Sequence, residues 1–271
     1  MSKTILITGS TDGIGLATAK QLLSMGHRVL LHGRNSQKLN RVKNDFPQSI
    51  EQGLLESYEA DLSNMSDVLA LTKSIITKYQ SLDILINNAG VLKTSSPTTS
   101  DGFDVRFVVN TIAPYLLTKK LLPLLRPSGR VVNLSSAAQA PVNIDALSGK
   151  LSELSAMDAY AQSKLAITMW TNHLASENKG KGPMMISVNP GSMLGSKMVQ
   201  QGFGVSGKDI NIGANILVKV AIEDGFSEAS GQYFDNDLGQ FSSPHSDAGD
   251  QQKCKTVVSA IEKTLEILVS N

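Results

Sequence analysis

The chain has 271 residues, 41% of them hydrophobic, which suits one large α/β domain with a substantial core. Its formal net charge is only +1, so charge gives no reason to expect nucleic acid or an anionic membrane as a partner. The single cysteine, Cys254, excludes an internal disulfide framework and favours a reducing compartment. The four histidines show no metal-ligand spacing, so no metal site is predicted.

The first residues predict a strand from Lys3 to Thr8, which leaves no room for a secretion signal. No uninterrupted apolar run is long enough to span a bilayer. We therefore expect a cytoplasmic protein that has neither a membrane nor a nucleic acid as its partner.

A glycine-rich turn joins the first strand to the first helix, which is predicted to run to about Met25. The glycines are spaced Gly-x-x-x-Gly-x-Gly rather than in the commoner Gly-x-Gly-x-x-Gly. Between a strand and a helix, such glycines let backbone N–H groups approach a pyrophosphate. We expect a dinucleotide to contact the whole loop, the alternative being an ordinary glycine turn. The loop comprises Gly9, Ser10, Thr11, Asp12, Gly13, Ile14 and Gly15.

The second strand ends without the carboxylate that an NAD site uses to bind the ribose diol. Gly33 is followed instead by Arg34 and Asn35, and the planar guanidinium of Arg34 suits a 2′-phosphate. This predicts NADP(H) as the preferred cofactor, with NAD(H) as a weaker one because Asp12 adds negative charge nearby. The alternative is a surface arginine at the edge of the sheet.

Strands and helices alternate along the chain, which predicts a parallel sheet with right-handed crossovers. We expect an α/β fold of the single-domain, doubly wound Rossmann type, with about seven strands and helices on both faces. Ligands bind at the carboxyl ends of such strands, where the unusual polar segments fall. The predicted elements are strands at 4–7, 28–32, 54–60, 82–86, 129–134 and 182–190, and helices at 36–45, 64–79, 101–125 and 255–269.

The helix predicted over 101–125 carries Asn110 near its middle. Asn110 is either an innocuous polar residue or the mark of a local distortion. Pro114 favours a distortion, because its ring conflicts with the carbonyl group of Asn110.

Tyr160 and Lys164 open a helix predicted from Met157 to about Asn178. Residues four apart lie on one helix face, so the ammonium group should lie close to the phenol. A nearby cation favours the phenolate and lowers a pKa that is ordinarily near ~10. The pair is therefore a candidate acid/base for proton transfer to or from a hydroxyl, although Tyr-x-x-x-Lys alone is a weak signal.

Taken together, the motifs resemble those of the short-chain dehydrogenase/reductase family, of the classical single-domain kind. They follow the order of that family over roughly residues 1–195, and the segment 230–234 with the last helix is similar to its retinol-dehydrogenase-like branch. The matching elements are Thr8-Gly9-x-x-x-Gly13-Ile14-Gly15, Asp61-Leu62, Asn87-Asn88-Ala89-Gly90, Asn110, Ser136, Tyr160-x-x-x-Lys164 and Pro190-Gly191.

The resemblance implies catalytic roles for four residues. Tyr160 would exchange a proton with the substrate oxygen, and Lys164 would lower the pKa of Tyr160 and hold the nicotinamide ribose. Ser136, rather than Ser135, would hydrogen-bond the substrate oxygen. Asn110 would support a water that leads from Lys164 to solvent.

The resemblance also implies further cofactor contacts. Asp61 and Leu62 would flank the adenine, and the segment after the fourth strand would pass the ribose and nicotinamide. The cofactor residues expected beyond the glycine loop are Arg34, Asn35, Asp61, Leu62, Asn88, Ala89, Gly90, Tyr160, Lys164, Pro190 and Gly191.

Two features depart from the family pattern. Ser136 and Tyr160 are 24 positions apart, which predicts that an insert at 139–156 lies near the site and shapes substrate access. The threonine often found shortly after Pro-Gly is absent, and Ser196 is its nearest substitute.

Residues 192–208 predict a mobile loop and short helix over the substrate site. Its apolar side chains either line a pocket or pack the loop down; they are Met193, Leu194, Met198 and Phe203. The polar segment 241–250 predicts a surface loop. Met169, Trp170 and His173 belong either to the core or to the face of a homodimer.

The sequence thus predicts an NADP(H)-dependent oxidoreductase that acts on a small-molecule carbonyl or alcohol. One alternative is a non-catalytic NADP(H)-binding protein. A nucleotide-sugar epimerase or dehydratase is another, although such enzymes usually have a larger C-terminal substrate domain.

Overall fold

The computed structural model describes residues 2–151 and 154–270. The strands are β1 (Thr4–Ile7), β2 (Arg28–Gly33), β3 (Leu55–Glu59), β4 (Leu82–Asn87), β5 (Leu125–Leu134), β6 (Met184–Asn189), β7 (Tyr233–Asp235) and β8 (Gln240–Ser242). The α-helices are α1 (Gly13–Ser24), α2 (Ser36–Asn44), α3 (Pro47–Glu51), α4 (Met65–Lys78), α5 (Val105–Phe107), α6 (Ala113–Leu121), α7 (Ile144–Leu147), α8 (Ala156–Glu177), α9 (Lys197–Phe203), α10 (Asn211–Ile222) and α11 (Gln251–Ser270).

All eight strands form one sheet in the order β3-β2-β1-β4-β5-β6-β7-β8. Strands β1 to β7 are parallel, which confirms the predicted doubly wound α/β fold. The eighth strand, β8, pairs antiparallel with β7 and lies partly in the segment predicted as a surface loop from 241. Its three residues carry no periodic pattern; Phe241 holds it in place by packing against Phe226 and Phe234.

The sheet is buried on both faces, and alternate strand residues contribute to two separate cores. Ile5 and Ile7 point to a core built with α1, α2 and α10, whereas Leu6 between them joins a core built with α4, α6, α8 and α11. This alternation explains why the strands read as continuous apolar runs in the sequence.

Helix α8 is the central helix of the second core. Ser155 caps its first turn by accepting a hydrogen bond from the Asp158 N–H at 3.1 Å. Trp170 is fully buried, with its ring edge-on to Tyr115 at a centroid distance of 5.6 Å, and Met169 is buried beside it. Met169 and Trp170 therefore belong to the core, the first of the two alternatives drawn from the sequence.

The prediction of a single helix over 101–125 is wrong. A π-helical turn at Val108–Ile112 separates α5 from α6, and a 3-10 turn at Leu122–Leu124 follows. Pro114 has no N–H to donate to the Asn110 carbonyl, so the regular i to i−4 bonding cannot continue there. Asn110 lies inside the π-helical turn, as the distortion alternative predicted.

Among residues 2–151 and 154–270, no helix has both the length and the hydrophobicity needed to cross a bilayer. Within the same ranges, no group of three or more His, Cys, Asp or Glu side chains is arranged to hold a metal ion.

Candidate active site

The predicted site residues meet at the carboxyl edge of the sheet. The strand order reverses between β1 and β4, and a crevice forms at such a reversal. The glycine loop follows β1, the segment 88–90 follows β4, Ser136 follows β5, and Pro190 follows β6. Segments far apart in the sequence therefore border one crevice.

The glycine loop has the shape of a phosphate cradle. Gly9 and Gly13 have φ angles of +65° and +55°, which favour glycine. A Cβ on Gly15 would lie 2.5 Å from the Gly9 carbonyl oxygen and 2.4 Å from Nδ2 of Asn88. The loop leads into the first turn of α1, where N–H groups have no partner within the helix. These residues therefore fit a dinucleotide pyrophosphate.

His32 holds this loop in place, a role that the sequence did not reveal. Its Nδ1 accepts a hydrogen bond from the Gly9 N–H at 3.1 Å, which leaves Nε2 to donate to the Ala60 carbonyl at 3.1 Å. Burial lowers the pKa of His32 to about 4, so the ring is neutral at pH 7. The available signal was a polar residue in a buried apolar strand, because such a residue needs hydrogen-bond partners.

Three other loop side chains pack the loop against its surroundings. Ser10 is fully buried and its Oγ accepts from the His32 N–H at 2.9 Å. Ile14 approaches Gly213, and Thr11 approaches Gly33. Contact between a cofactor and Ser10 or Ile14 would therefore involve their backbone atoms.

Arg34 and Asn35 follow β2 beside the loop. Arg34 is exposed, and its guanidinium has no hydrogen bond or ion pair within residues 2–151 and 154–270. Asn35 caps α2, its side-chain oxygen accepting from the Lys38 N–H at 2.9 Å. This side chain therefore has a structural role whether or not it contacts a cofactor.

Asp12 carries the negative charge that the sequence placed near the cofactor. Its carboxylate lies 2.6 Å from Nζ of Lys197 and 3.4 Å from Nζ of Lys38. Partial burial raises its pKa, but the bond to Lys197 and the one from the Gly13 N–H outweigh this and lower the pKa below the usual value. Two lysines therefore compensate the charge of Asp12.

The segment after β4 lies between the glycine loop and Lys164. Nδ2 of Asn88 donates to the carbonyl oxygens of Thr8 and Gly9 at 2.8 and 3.1 Å. The Ala89 N–H donates to Oγ1 of Thr8 at 3.0 Å. A Cβ placed on Gly90 would lie 3.5 Å from Nζ of Lys164, so this glycine lies in contact distance of the amine.

Asp61 and Leu62 are less available than the sequence predicted. Oδ1 of Asp61 accepts from the N–H and hydroxyl of Ser63 at 2.9 and 2.7 Å. The Leu62 side chain is buried in the core on the α8 side of the sheet. For Leu62, only the backbone remains to border an adenine.

Tyr160, Lys164 and Ser136 lie together, but within the described residues the amine makes no hydrogen bond to the phenol oxygen. Nζ of Lys164 lies 5.6 Å from the centroid of the Tyr160 ring and donates to the Leu134 carbonyl at 2.7 Å. Burial raises the pKa of Tyr160, and a hydrogen bond with Ser136 opposes that rise. Burial also lowers the pKa of Lys164 to about 8. In the protein alone, burial therefore favours the protonated phenol, whereas the sequence predicted a lowered pKa.

The two adjacent serines face different surroundings. Oγ of Ser135 is buried against α8, where it bonds to the Lys164 carbonyl at 3.1 Å and to Oγ1 of Thr168 at 2.7 Å. Ser136 lies beside Tyr160, and its Oγ accepts from the Ala138 N–H at 3.1 Å. The geometry therefore offers Ser136 rather than Ser135 to a substrate.

Two further side chains fix the backbone of Ser136. Its carbonyl accepts from the Tyr233 hydroxyl at 3.1 Å and from Nε2 of Gln139 at 2.9 Å. Gln139 begins the insert predicted near the site, and its Oε1 accepts from the His245 N–H at 3.0 Å. Residues 152 and 153 of that insert lie outside the described residues.

Asn110 connects the β4 loop to α8. Its Oδ1 accepts from the Val91 N–H at 2.8 Å, and its Nδ2 donates to the Val91 carbonyl at 3.0 Å and to Oγ of Ser163 at 2.9 Å. Ser163 immediately precedes Lys164. The observed contacts are those of a structural clamp, and the water route to Lys164 stays a prediction.

Residues 192–208, which we call the lid, form a closed loop around α9. The lid is joined at its base by two backbone hydrogen bonds of 2.7 Å, from Gly195 to Lys208 and from Lys208 to Met193. Pro190 and Gly191 lead into this base, where the Pro190 carbonyl accepts from Asn236 at 2.8 Å. The predicted combination of a loop and a short helix is present.

The apolar lid residues divide between the two predicted roles. Leu194 is buried and packs the base down against Gly213. The terminal methyl of Met198 lies 3.7 Å from a Cβ built on Gly90, so α9 lies against the segment after β4. Met193 and Phe203 are 37% and 47% exposed.

Comparison with known proteins finds similarity to dehydrogenases. A family model described as short chain dehydrogenase matches residues 3–207. The chain is similar to retinol dehydrogenase 13 of Homo sapiens, with 30% identity over 251 residues that cover 86% of this chain and 76% of that protein. It is also similar to the polyprenol dehydrogenase of Homo sapiens, with 37% identity over 177 residues that cover 62% of this chain and 53% of that protein.

Solved structures show the same fold. An uncharacterised protein from Mycobacterium paratuberculosis superposes with a TM-score of 0.81 at 25% identity, covering 97% of this chain and 93% of that one. A short chain dehydrogenase from Shigella flexneri, solved in complex with NADP, superposes with a TM-score of 0.67 at 26% identity, covering 87% and 97%.

Proposed function

The chain belongs to the short-chain dehydrogenase/reductase family, in its retinol-dehydrogenase-like branch, and from this premise we propose that it reduces an apolar aldehyde or ketone with NADPH, or oxidises the corresponding alcohol. The observation that carries the proposal is the meeting of Tyr160, Ser136 and Lys164 beside the glycine cradle. When bound, the nicotinamide cofactor would supply a hydride to the carbonyl carbon, or accept one from the alcohol carbon.

Tyr160 is the proton donor in the direction of reduction. Because burial raises its pKa, the phenol is protonated at pH 7 and its proton passes to the carbonyl oxygen as the C–H bond forms. The hydrogen bond from Ser136 and the positive charge of Lys164 then stabilise the phenolate that remains. In the direction of oxidation, the phenolate takes the hydroxyl proton.

The cofactor assignment rests on the end of β2. Arg34 stands where an NAD site would have a carboxylate, and the charge of Asp12 is compensated by Lys38 and Lys197. The Shigella flexneri neighbour, which was solved with NADP, supports the binding of a nicotinamide dinucleotide, and the preference for NADP(H) rests on Arg34.

The apolar class of substrate rests on the lid and on the relatives. Three large apolar side chains of the lid, Met193, Phe203 and Val205, are between 37% and 47% exposed. The two human relatives are named for retinol and polyprenol, which are long apolar alcohols. We therefore place the substrate among long apolar alcohols and their carbonyl counterparts.

Neither alternative function gains support from the site. A non-catalytic binding protein gives no reason for Ser136 and Tyr160 to lie in hydrogen-bonding reach of each other. For an epimerase or dehydratase, the described residues offer no separate substrate domain, because those after β6 add β7 and β8 to the same sheet. A cytoplasmic location and a homodimer stay predictions.

The proposal is tested by following NADPH and NADH consumption across short and long aldehydes and ketones, with the wild type and Tyr160→Phe. We expect turnover with NADPH that increases with apolar chain length, and a loss of at least about 100-fold in kcat for Tyr160→Phe at unchanged cofactor affinity. Equal turnover by the two proteins would remove Tyr160 from the reaction, and tight NADPH binding without any turnover would favour the binding-protein alternative.

A further inference from the structure

A cluster of three charged side chains joins the lid to the glycine loop and to α2. Lys197 is the first residue of α9, and its Nζ lies 2.6 Å from Oδ2 of Asp12. Nζ of Lys38, in the first turn of α2, lies 3.4 Å from the same oxygen. One carboxylate oxygen therefore holds two lysines that come from different segments of the fold.

This cluster lies at the adenosine side of the crevice. Asp12 is fixed to α1 because its Oδ1 accepts from the Gly13 N–H at 3.0 Å. Lys38 follows the Asn35 cap, and the positive charge of Arg41 in α2 is close enough to lower the pKa of Lys197, although Asp12 raises it more. The start of α9 therefore reaches α2 as well as the glycine loop.

Charge in this region is unbalanced. Arg34, Lys38 and Lys197 bring three positive charges to the mouth of the crevice, and within the described residues Asp12 is the carboxylate paired with two of them. Both lysine side chains are about half exposed or more, at 48% and 62%, so they are free to turn toward a ligand. A dianionic phosphate is the complementary ligand, since it attracts each lysine more strongly than a single carboxylate does.

We propose that Lys197 is a specificity-determining residue that binds the 2′-phosphate of NADP(H) together with Arg34 and Lys38. This inference rests on the proposed function and extends it, because a residue of the lid would then distinguish NADP(H) from NAD(H). Lys197 leaves Asp12 for the phosphate, so NADP(H) holds α9 down more firmly than NAD(H). Met198 lies on the same helix and reaches Gly90, which couples cofactor identity to the substrate site.

The first test measures the dissociation constants of NADPH and NADH by nicotinamide fluorescence for the wild type, Lys197→Met and Lys208→Met. Lys208 is the matched control, because it is an exposed lysine at the base of the same lid and its charge acts on Asp237 instead of Asp12. We expect Lys197→Met to weaken NADPH binding about fivefold and NADH binding less than about twofold, with the difference shrinking as salt is added. Lys208→Met should keep the wild-type ratio of the two constants.

A second variant acts in the opposite direction. Asp12→Asn keeps an oxygen that can cap the Gly13 N–H but removes the charge that competes for Lys197. It should tighten NADPH binding more than NADH binding. In the Lys197→Met protein, Asp12→Asn should no longer tighten NADPH binding much more than NADH binding.

Lid closure supplies a readout independent of affinity. Phe203 in α9 is 47% exposed and offers a chymotrypsin site. At saturating cofactor, NADPH should slow cleavage there more than NADH does in the wild type, and Lys197→Met should abolish that difference.

The possible results of these experiments distinguish a failure of the proposed function from a failure of the role assigned to Lys197. A wild type that binds NADPH no better than NADH overturns the cofactor assignment and the inference with it. A wild type that prefers NADPH, with an unchanged ratio in Lys197→Met or an equal loss in Lys208→Met, overturns the role of Lys197 alone.

Discussion

Lys164 is a buried cation whose position suits chemistry better than stability. Burial lowers its pKa from about 10.5 to about 8, so at pH 7 the folded chain holds a charge in an environment that disfavours it. Between those two values the unfolded chain binds a proton that the folded chain has released, and stability therefore rises with pH across this window. Below pH 8 the full cost of roughly 3 kcal/mol is present.

Replacing this side chain should therefore stabilise the protein at neutral pH. Lys164→Met removes the buried charge but also the donor to the Leu134 carbonyl, which offsets about 1 kcal/mol. We expect a net gain of about 1–2 kcal/mol at pH 7 that disappears above pH ~10.5, together with loss of turnover. Urea unfolding at pH 7 and pH 10.5 measures both values. A variant less stable than the wild type at pH 7 would show that the amine stabilises the fold.

The roles of individual residues differ in how far the sequence alone predicts them. Tyr160 and Lys164 stand in a local i, i+4 pattern that the sequence shows directly, although its interpretation as an acid/base pair relied on motifs elsewhere in the chain. His32 and Tyr233 act through contacts with Gly9 and Ser136, which are 23 and 97 positions away. The sequence shows those side chains but not their partners, so their roles required the folded structure.

Elements were predictable where one periodic pattern governs a whole segment. The buried strands and α8 fall within a few residues of their predicted bounds, because burial on both faces or along a stripe repeats at every turn. The prediction of a single helix over 101–125 was wrong, although Pro114 had favoured a distortion at Asn110, and the short β8 was missed. A proline inside an apolar helix breaks the hydrogen-bond ladder without changing the pattern, and three residues are too few to show a period.

The lid provides a prediction at the scale of one element. Gly202 faces Leu92, and a Cβ built on it lies 3.0 Å from a methyl of that leucine. Gly202→Val adds two further carbons, so it should push α9 away from the site at a cost of about 1–3 kcal/mol to the closed lid. We expect KM for the carbonyl substrate to rise about tenfold, while the melting temperature changes little because the lid is peripheral.

Gln201→Val is the matched control for this variant. It places the same β-branched side chain on the neighbouring, exposed position of α9. Steady-state kinetics and thermal melting of both proteins separate displacement by the contact with Leu92 from the general effect of a β-branched side chain in α9. A similar KM for Gly202→Val and the wild type would show that α9 does not need to close on Leu92.

At the scale of the whole molecule, one core supports the predicted cofactor-binding residues and the other supports the predicted catalytic residues. The core with α1, α2 and α10 supports the glycine loop and the end of β2, whereas the core with α4, α6, α8 and α11 supports Tyr160 and Lys164. Both cores share one sheet, whose order reverses between β1 and β4 to open the crevice between the two sets of residues. The alternation of strands and helices predicted this arrangement, but not that α11 would cover α8.

The contribution of α11 to the second core is open to measurement because this helix has one fully buried and one exposed isoleucine. Ile261 is completely buried, whereas Ile267 is 53% exposed. Ile261→Ala should lower the free energy of unfolding by about 2–5 kcal/mol through lost burial and the cavity left behind. Ile267→Ala, with the same change in propensity on the same helix, should lower it by less than about 0.5 kcal/mol. Urea unfolding provides both values, and similar losses in the two variants would mean that the packing of α11 on α8 contributes little to the stability of the fold that holds Tyr160 in place.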